Sequence, residues 1–287
     1  MLILMLVSCR DVKNPHSSLT ATFRTLEKKY SGHLGIAAIN TANNRVYAFN
    51  GNQRFPFCST FKFMLVAAIL NASQSDKGLL SKRIDYSNQT ITSAGYTPET
   101  SKHIKTGMTV RALCKAAITL SDSGAANLLV QQLGGPQAVV NFSRSIGDKA
   151  FYLVRIEPNL NTAVPGDKRD TTTPLAMATS MREILLSNVL SDQNRKLLQQ
   201  WLIDSKTGGA RIRAGAPKSW LVGDKTGTGA YGSTNDIAIL WPPHKRPMIF
   251  VIYFTTDNAS SKANENIIAL ASSMLIKQFE SIKVSSK

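Results

Sequence analysis

Ser59-Thr60-Phe61-Lys62 sets a hydroxyl and an amine three residues apart, and no other SxxK occurs in the chain. On a helix that spacing puts both groups on one face, a turn apart. A serine at a helix N-terminus has two advantages. Free backbone N–H groups can hold a developing oxyanion, and the nearby amine can take or relay the hydroxyl proton. Other segments supply matching groups. Ser121-Asp122-Ser123 offers a second hydroxyl, and Lys225-Thr226-Gly227 a cation with backbone donors beside it. In Arg155-Ile156-Glu157-Pro158-Asn159-Leu160-Asn161, a carboxylate can deprotonate a water that the Asn161 amide holds near an acyl-serine. Each piece alone has an ordinary reading: Ser59 as a helix cap, Lys62 as a surface lysine, Glu157 as a solvated loop residue. Together they make a nucleophile, a proton relay, an anion anchor and a hydrolytic base. Lys206-Thr207-Gly208 repeats the KTG triplet, but it follows a helix ending near Ile203 and reads with Gly209 as a chain reversal.

The elements that must position these groups follow from periodicity. A helix is expected over 18–31 behind the caps Ser17 and Ser18, then a hairpin of Leu34–Ile39 and Arg45–Phe49. From 59 to 203 the pattern is mostly helical: 60–71, 109–120, 125–133, 136–146, 174–186 and 192–202. Strands return at 221–228, 236–241 and 248–255, and a helix over 263–282 closes the chain. Strands at both ends around a helical middle predict an α+β fold, an antiparallel sheet flanked by helices with an all-α lobe inserted. The expected division is a leader (1–17), a sheet lobe (18–58 with 204–287) and a helical lobe (59–203). Residues 155–173, with Glu157, form a loop too long to be a simple connection. Arg155 and Asp170 flank it at a separation that suits an ion pair.

The 287 residues carry 43% hydrophobic and 18% charged residues, which excludes intrinsic disorder and a collagen-like chain. A net charge of +16 invites a nucleic-acid reading. The excess, however, is spread almost evenly over 1–58, 59–203 and 204–287, with no binding stripe, so no nucleic-acid partner is expected. His16, His33, His103 and His244 stand alone, and Cys9, Cys58 and Cys114 form no CxxC, so neither a metal nor a cofactor is expected. The apolar run Leu2–Val7 leads into Leu6-Val7-Ser8-Cys9, which resembles a bacterial lipobox. An exported, periplasmic protein is therefore expected, with Cys9 the candidate lipid anchor to the membrane.

From Ser18 to the C-terminus the chain resembles a class A serine β-lactamase, through its SxxK, its SDN-like triplet, its KTG, the Glu157 loop and Thr171-Thr172-Thr173-Pro174. The resemblance implies a monomer of β-lactamase/transpeptidase-like fold acting on small-molecule β-lactams: penicillins and cephalosporins, with carbapenems open. It implies that Ser59 attacks the lactam carbonyl, with Lys62, or Glu157 through a water, as acylation base. The backbone N–H groups of Ser59 and Thr228 would form the oxyanion hole. Ser121 would protonate the leaving nitrogen, and Glu157 with Asn161 would drive water onto the acyl-enzyme. Lys225, Thr226, Gly227 and Thr228 would receive the substrate carboxylate, Tyr96 would wall the cleft, and Asn127 would brace the Glu157 loop.

Three departures bear on specificity. Ser123 replaces the usual asparagine, which binds the substrate's side-chain amide. Ser233 and Thr234 stand where many members carry a carboxylate-binding arginine, which makes Arg211 the substitute. Cys58, Thr228 and Arg211 look like the carbapenem-hydrolysing branch, but Gly229 and Ala230 occupy the partner-cysteine region. Cys114 likewise faces Val66 at its expected partner position, so both cysteines read as unpaired. The alternatives are a D-Ala-D-Ala peptidase, distinguished by Glu157, and a non-catalytic basic binding protein.

Overall fold

A computed structural model describes residues 15–281, so the lipobox and Cys9 lie outside the described residues. The five longer strands are β1 (His33–Asn40), β2 (Arg45–Phe49), β3 (Leu221–Thr228), β4 (Thr234–Trp241) and β5 (Met248–Thr255). They form one antiparallel sheet in the order β2-β1-β5-β4-β3. β1 pairs with β5 from His33 opposite Thr255 to Asn40 opposite Met248, so the two ends of the chain meet in mid-sheet.

The sheet is buried on both faces. Ala37, Ile39, Ile237, Ile239, Ile249 and Val251 join one core, while Ile36, Ala38, Ala238, Leu240, Phe250 and Ile252 join the other. Two-sided burial explains why these strands read as unbroken apolar runs instead of alternating.

The longer helices are α1 (Pro15–Tyr30), α2 (Phe61–Ala72), α3 (Val110–Thr119), α4 (Ser123–Gln132), α5 (Pro136–Ser145), α6 (Pro174–Leu186), α7 (Asp192–Ile203) and α8 (Glu265–Ser281). α1 and α8 cover one sheet face through Phe23, Leu26, Ile268 and Leu275. α1 starts earlier than its expected caps: Ser17 and Ser18 lie inside it, behind Pro15, whose fixed φ suits a first turn. On the other side α2 is buried from Phe61 to Leu70, and α3, α4, α5 and α7 pack around it. A helix apolar all round can sit only at the centre of such a bundle. α6 packs on β1 and β5, and α7 packs on β3, so the helical segment is seated directly on the sheet.

Ser59 is not the cap of α2. It lies in a 3₁₀ turn, Cys58–Thr60, that runs into α2, and Thr60 holds the N-cap position. The long loop also has structure of its own. It contains a 3₁₀ turn at Asn159–Thr162 and a short strand, Thr171–Thr172, paired with Phe55–Pro56.

Asp122, the middle of the SDS triplet, holds the α3–α4 junction. Its carboxylate accepts from Ala125 N (2.8 Å) as the cap of α4, and from Glu99 N (2.8 Å), Thr100 N (2.9 Å) and Thr100 Oγ1 (2.9 Å). Replacing it with alanine leaves these largely buried donors unsatisfied. Asp122→Ala is expected to destabilise the protein by about 2–4 kcal/mol. This is checked as a lower urea midpoint at unchanged slope; an unaltered midpoint would show that the junction does not depend on this carboxylate.

Candidate active site

Ser59, Lys62, Ser121, Ser123, Glu157, Asn161 and Lys225 come together between the 3₁₀ turn before α2, the α3–α4 junction, the long loop and edge strand β3. Ser59 Oγ donates to Glu157 Oε1 at 3.1 Å, and Lys62 Nζ lies 2.8 Å from the same oxygen. Lys62 and Glu157 form a wholly buried pair. The ammonium spends its other donors on Ser121 O (2.7 Å) and Ser123 Oγ (3.2 Å). Thus all three of its donors are engaged, one of them by Ser123.

Burial pushes the Glu157 carboxyl up, but the Lys62 ammonium and hydrogen bonds from Lys62, Ser59 and Asn161 outweigh it and hold the group below the usual carboxylate range. Asn161 Nδ2 bonds the other carboxylate oxygen, Oε2, and Asn161 Oδ1 is a buried acceptor without a partner among the described residues.

The loop that carries Glu157 is fastened at several points. Asn127 clamps the Glu157 backbone on both sides, donating to Glu157 O (2.9 Å) and accepting from Glu157 N (3.0 Å). Arg155 Nε meets buried Asp170 at 2.5 Å, and Asp170 also accepts from the Val154 and Arg155 N–H groups. The expected ion pair therefore has a buried acceptor, unlike a surface pair.

On the opposite wall, Lys225 Nζ donates to Ser121 Oγ (2.9 Å) and to Thr226 O (2.7 Å). Burial, then the nearby Lys62 charge, pushes the Lys225 ammonium well below the ordinary lysine range. Gly227 is required by close approach: a Cβ there would lie 2.7 Å from Phe57 O and 3.1 Å from Thr60 N, so β3 could not reach the nucleophile's turn. Gly229 N donates to Ser233 O within the β3–β4 turn, and strand alternation therefore aims the Thr228 N–H outward from the ladder. Two non-glycine residues of the site, Cys58 (φ 49°) and Ser121 (φ 57°), take the left-handed conformation, which costs energy and re-aims the chain.

Tyr96 is 61% exposed beside the cleft, and its carbonyl accepts from Ser123 N. Arg211 is buried and makes four contacts: it donates to Gly227 O (2.8 Å), Asn235 O (2.7 Å) and Thr228 Oγ1 (2.7 Å), and it meets Glu265 at 3.2 Å. It therefore reaches the site through the Thr228 hydroxyl. Cys58 and Cys114 are buried and, among the described residues, form no disulfide, and a side chain at Gly229 would abut the Cys58 sulfur.

Motif spacing does not single out four residues that adjoin the site: Thr207, Gly208, Asp224 and Asp236. Thr207, in the dismissed second KTG, hydrogen-bonds its hydroxyl to that of Thr226 at 2.6 Å, so this turn is structural but adjoins the site. Its Gly208 packs against Asp224, where a Cβ would lie 1.8 Å from Oδ2. Asp224 and Asp236 lie buried beneath Lys225; burial and the Asp224 charge push Asp236 well above the carboxylate range. Aspartates inside otherwise apolar strands were the signal available for this pair.

A half-buried serine hydrogen-bonded to a buried lysine–carboxylate pair, backed by a second lysine–serine pair, defines a serine acyl-transfer hydrolase. A sequence profile described as the beta-lactamase enzyme family matches residues 18–279. Beta-lactamase OXY-2 of Klebsiella oxytoca is 46% identical over 260 residues, 91% of this chain and 88% of that protein. Beta-lactamase Toho-1 of Escherichia coli is 44% identical over 275 residues, 96% and 94% of the two chains. The crystal structure of a beta-lactamase from Desulfarculus baarsii superposes with a TM-score of 0.90 at 44% identity, covering 92% of this chain and 98% of that one. An ancestral class A beta-lactamase gives 0.87 at 48% identity, covering 90% and 99%. The chain belongs to the class A β-lactamase family.

Because the Lys225 charge is lost at lower pH than for a free lysine, its attraction for an anionic substrate is present at low pH and fades as pH rises through the depressed value. kcat/KM for a penicillin is expected to fall on the alkaline side, and Lys225→Arg to move that limb upward, since guanidinium keeps its proton. An alkaline limb unmoved in Lys225→Arg, measured as a pH profile, would remove Lys225 as its source.

Proposed function

We propose that this class A β-lactamase hydrolyses penicillins and cephalosporins through a Ser59 acyl-enzyme, with Glu157 acting directly as acylation base. One observation carries the choice of base: Ser59 Oγ donates to Glu157 Oε1 at 3.1 Å, while the donors of Lys62 are engaged by Glu157, Ser121 O and Ser123 Oγ. Ser59 Oγ bonds to the lactam carbonyl carbon as its proton passes to Glu157. The resulting oxyanion is held by the N–H groups of Ser59 and Thr228. The C–N bond then breaks, and the nitrogen takes the Ser121 proton. Ser121 recovers one from Lys225, whose ammonium burial has made a readier acid.

Deacylation uses the same carboxylate. The proton that Glu157 took in acylation first passes through solvent to the neutral Lys225 amine, which frees the carboxylate; water held between Glu157 and Asn161 Oδ1 then loses a proton to Glu157 and attacks the ester carbon, and Ser59 Oγ leaves as Glu157 returns that proton to it. Lys225, Thr226 and Thr228 bind the substrate carboxylate, with Arg211 orienting the Thr228 hydroxyl and Thr207 that of Thr226. Tyr96 walls the cleft. Ser123, shorter than asparagine, grips the side-chain amide of the substrate less firmly. Carbapenem turnover is supported by Thr228 and Arg211 but not by Cys58, which forms no disulfide among the described residues.

Ser59→Ala should abolish nitrocefin hydrolysis. Glu157→Gln should slow deacylation by about 10³-fold or more and acylation less, because Lys62, freed of the carboxylate, can take the Ser59 proton in its place, so a covalent adduct of substrate mass accumulates on intact protein. Parent-like turnover by Glu157→Gln would overturn the role given to Glu157.

We further propose that the enzyme is an exported, periplasmic monomer, with Leu6-Val7-Ser8-Cys9 directing lipidation at Cys9. Mass spectrometry of the mature protein is expected to find an N-terminal, lipid-modified Cys9. An unmodified, uncleaved N-terminus would refute this.

A further inference from the structure

A cavity of about 770 Å³ opens beside α3 and shares no lining residue with the catalytic set. Its floor is apolar: Ala112, Ala116 and Leu120 follow one another at helical spacing, and Met108 adds to them from the preceding segment. At its rim stand Lys115 and Lys206, both exposed, and among the described residues neither has a carboxylate within ion-pair distance. The other charged groups around the cavity are already engaged. Glu99 is held by Lys102 (2.9 Å) and His103 (3.2 Å), and Arg83 donates to Thr106 O (2.6 Å) and Gly107 O (3.0 Å). Asp204 accepts from the neutral Gln200 amide (2.9 Å), so two ammonium groups face one carboxylate and positive charge remains in excess. A concave apolar floor with a few polar groups at one end is the form of a small-molecule site.

We propose that this cavity binds a small amphipathic anion, its ring system on the Ala112–Ala116–Leu120 floor and its acid group between Lys115 and Lys206. The site is coupled to the catalytic hydroxyls through its walls. Lys206 N donates to Thr119 O (2.9 Å), and the next residue, Thr207, bonds Thr226. Asp122 N donates to Ala116 O (3.2 Å), and Glu99 N to the Asp122 carboxylate (2.8 Å). An occupant therefore presses on the segments that aim Ser121 and Thr226.

The probe is 8-anilinonaphthalene-1-sulfonate, titrated by fluorescence into the folded enzyme with and without a covalent boronate on Ser59. Saturable binding is expected in both cases, with a changed kcat/KM for nitrocefin at saturation when Ser59 is free. Lys115→Glu should weaken the probe about fivefold and Ala112→Trp, which fills the floor, about tenfold, with nitrocefin turnover in the absence of probe near that of the parent. Displacement of the probe by the boronate would place it in the catalytic cleft and overturn the proposal. So would unchanged affinity in Lys115→Glu, an exposed position that tests the site even if Ala112→Trp does not fold. Binding that leaves nitrocefin kinetics unaltered would overturn the coupling.

Discussion

The buried pair of Lys62 and Glu157 is the interaction on which the rest of this structure depends. Taking two charges out of water is costly, and removing one partner from such a pair typically costs about 3–5 kcal/mol, because the other is left buried and alone. The pair persists because neither charge relies on the other alone. Lys62 also bonds Ser121 O and Ser123 Oγ, and Glu157 also bonds Ser59 and Asn161. One contact therefore fastens the central helix to the α3–α4 junction and to the long loop. It also leaves an ionised carboxylate, held below its usual range, within reach of the nucleophile.

Around that pair the chain invests in rigidity. Asn127 fixes the Glu157 backbone, Asp170 gathers the neck of the loop, and Asp122 closes the junction that carries Ser121. The opposite wall works by charge imbalance. Lys225 is surrounded by Lys62 and Arg211, opposed by Asp224 and Asp236, and buried. The balance leaves an ammonium that is hydrogen-bonded to Ser121 Oγ and holds its proton less firmly than a free lysine. Strain at Cys58 and Ser121 fits the same pattern, since both left-handed residues flank or carry a reacting hydroxyl and are held there by their neighbours.

Periodicity placed most long helices and strands within a few residues, because two-sided burial of the sheet and full burial of α2 leave strong apolar signals. It did less well where tertiary contacts override local rules. Ser59 resembled a helix cap, yet the chain enters α2 through a 3₁₀ turn stacked beneath β3. Lys206-Thr207-Gly208 resembled a plain reversal, yet Thr207 meets Thr226 and Gly208 makes room for Asp224. Arg211 stands as a candidate substrate contact in the sequence, and the fold shows what holds it beside the site: bonds to Gly227, Thr228, Asn235 and Glu265.

By itself the sequence determined which chemistry the chain can perform: one SxxK, a serine-rich triplet, one strand-borne KTG and a Glu–Asn loop, in an order that names the family. It also determined the sheet and bundle, through apolar spacing. Only the tertiary structure decided which oxygen accepts the Ser59 hydroxyl hydrogen bond, where the charge of Lys62 is spent and why Lys225 lies below the ordinary lysine range. Those outcomes depend on ångström distances and on exclusion from water between segments about 100 residues apart, and neither is written into local residue order.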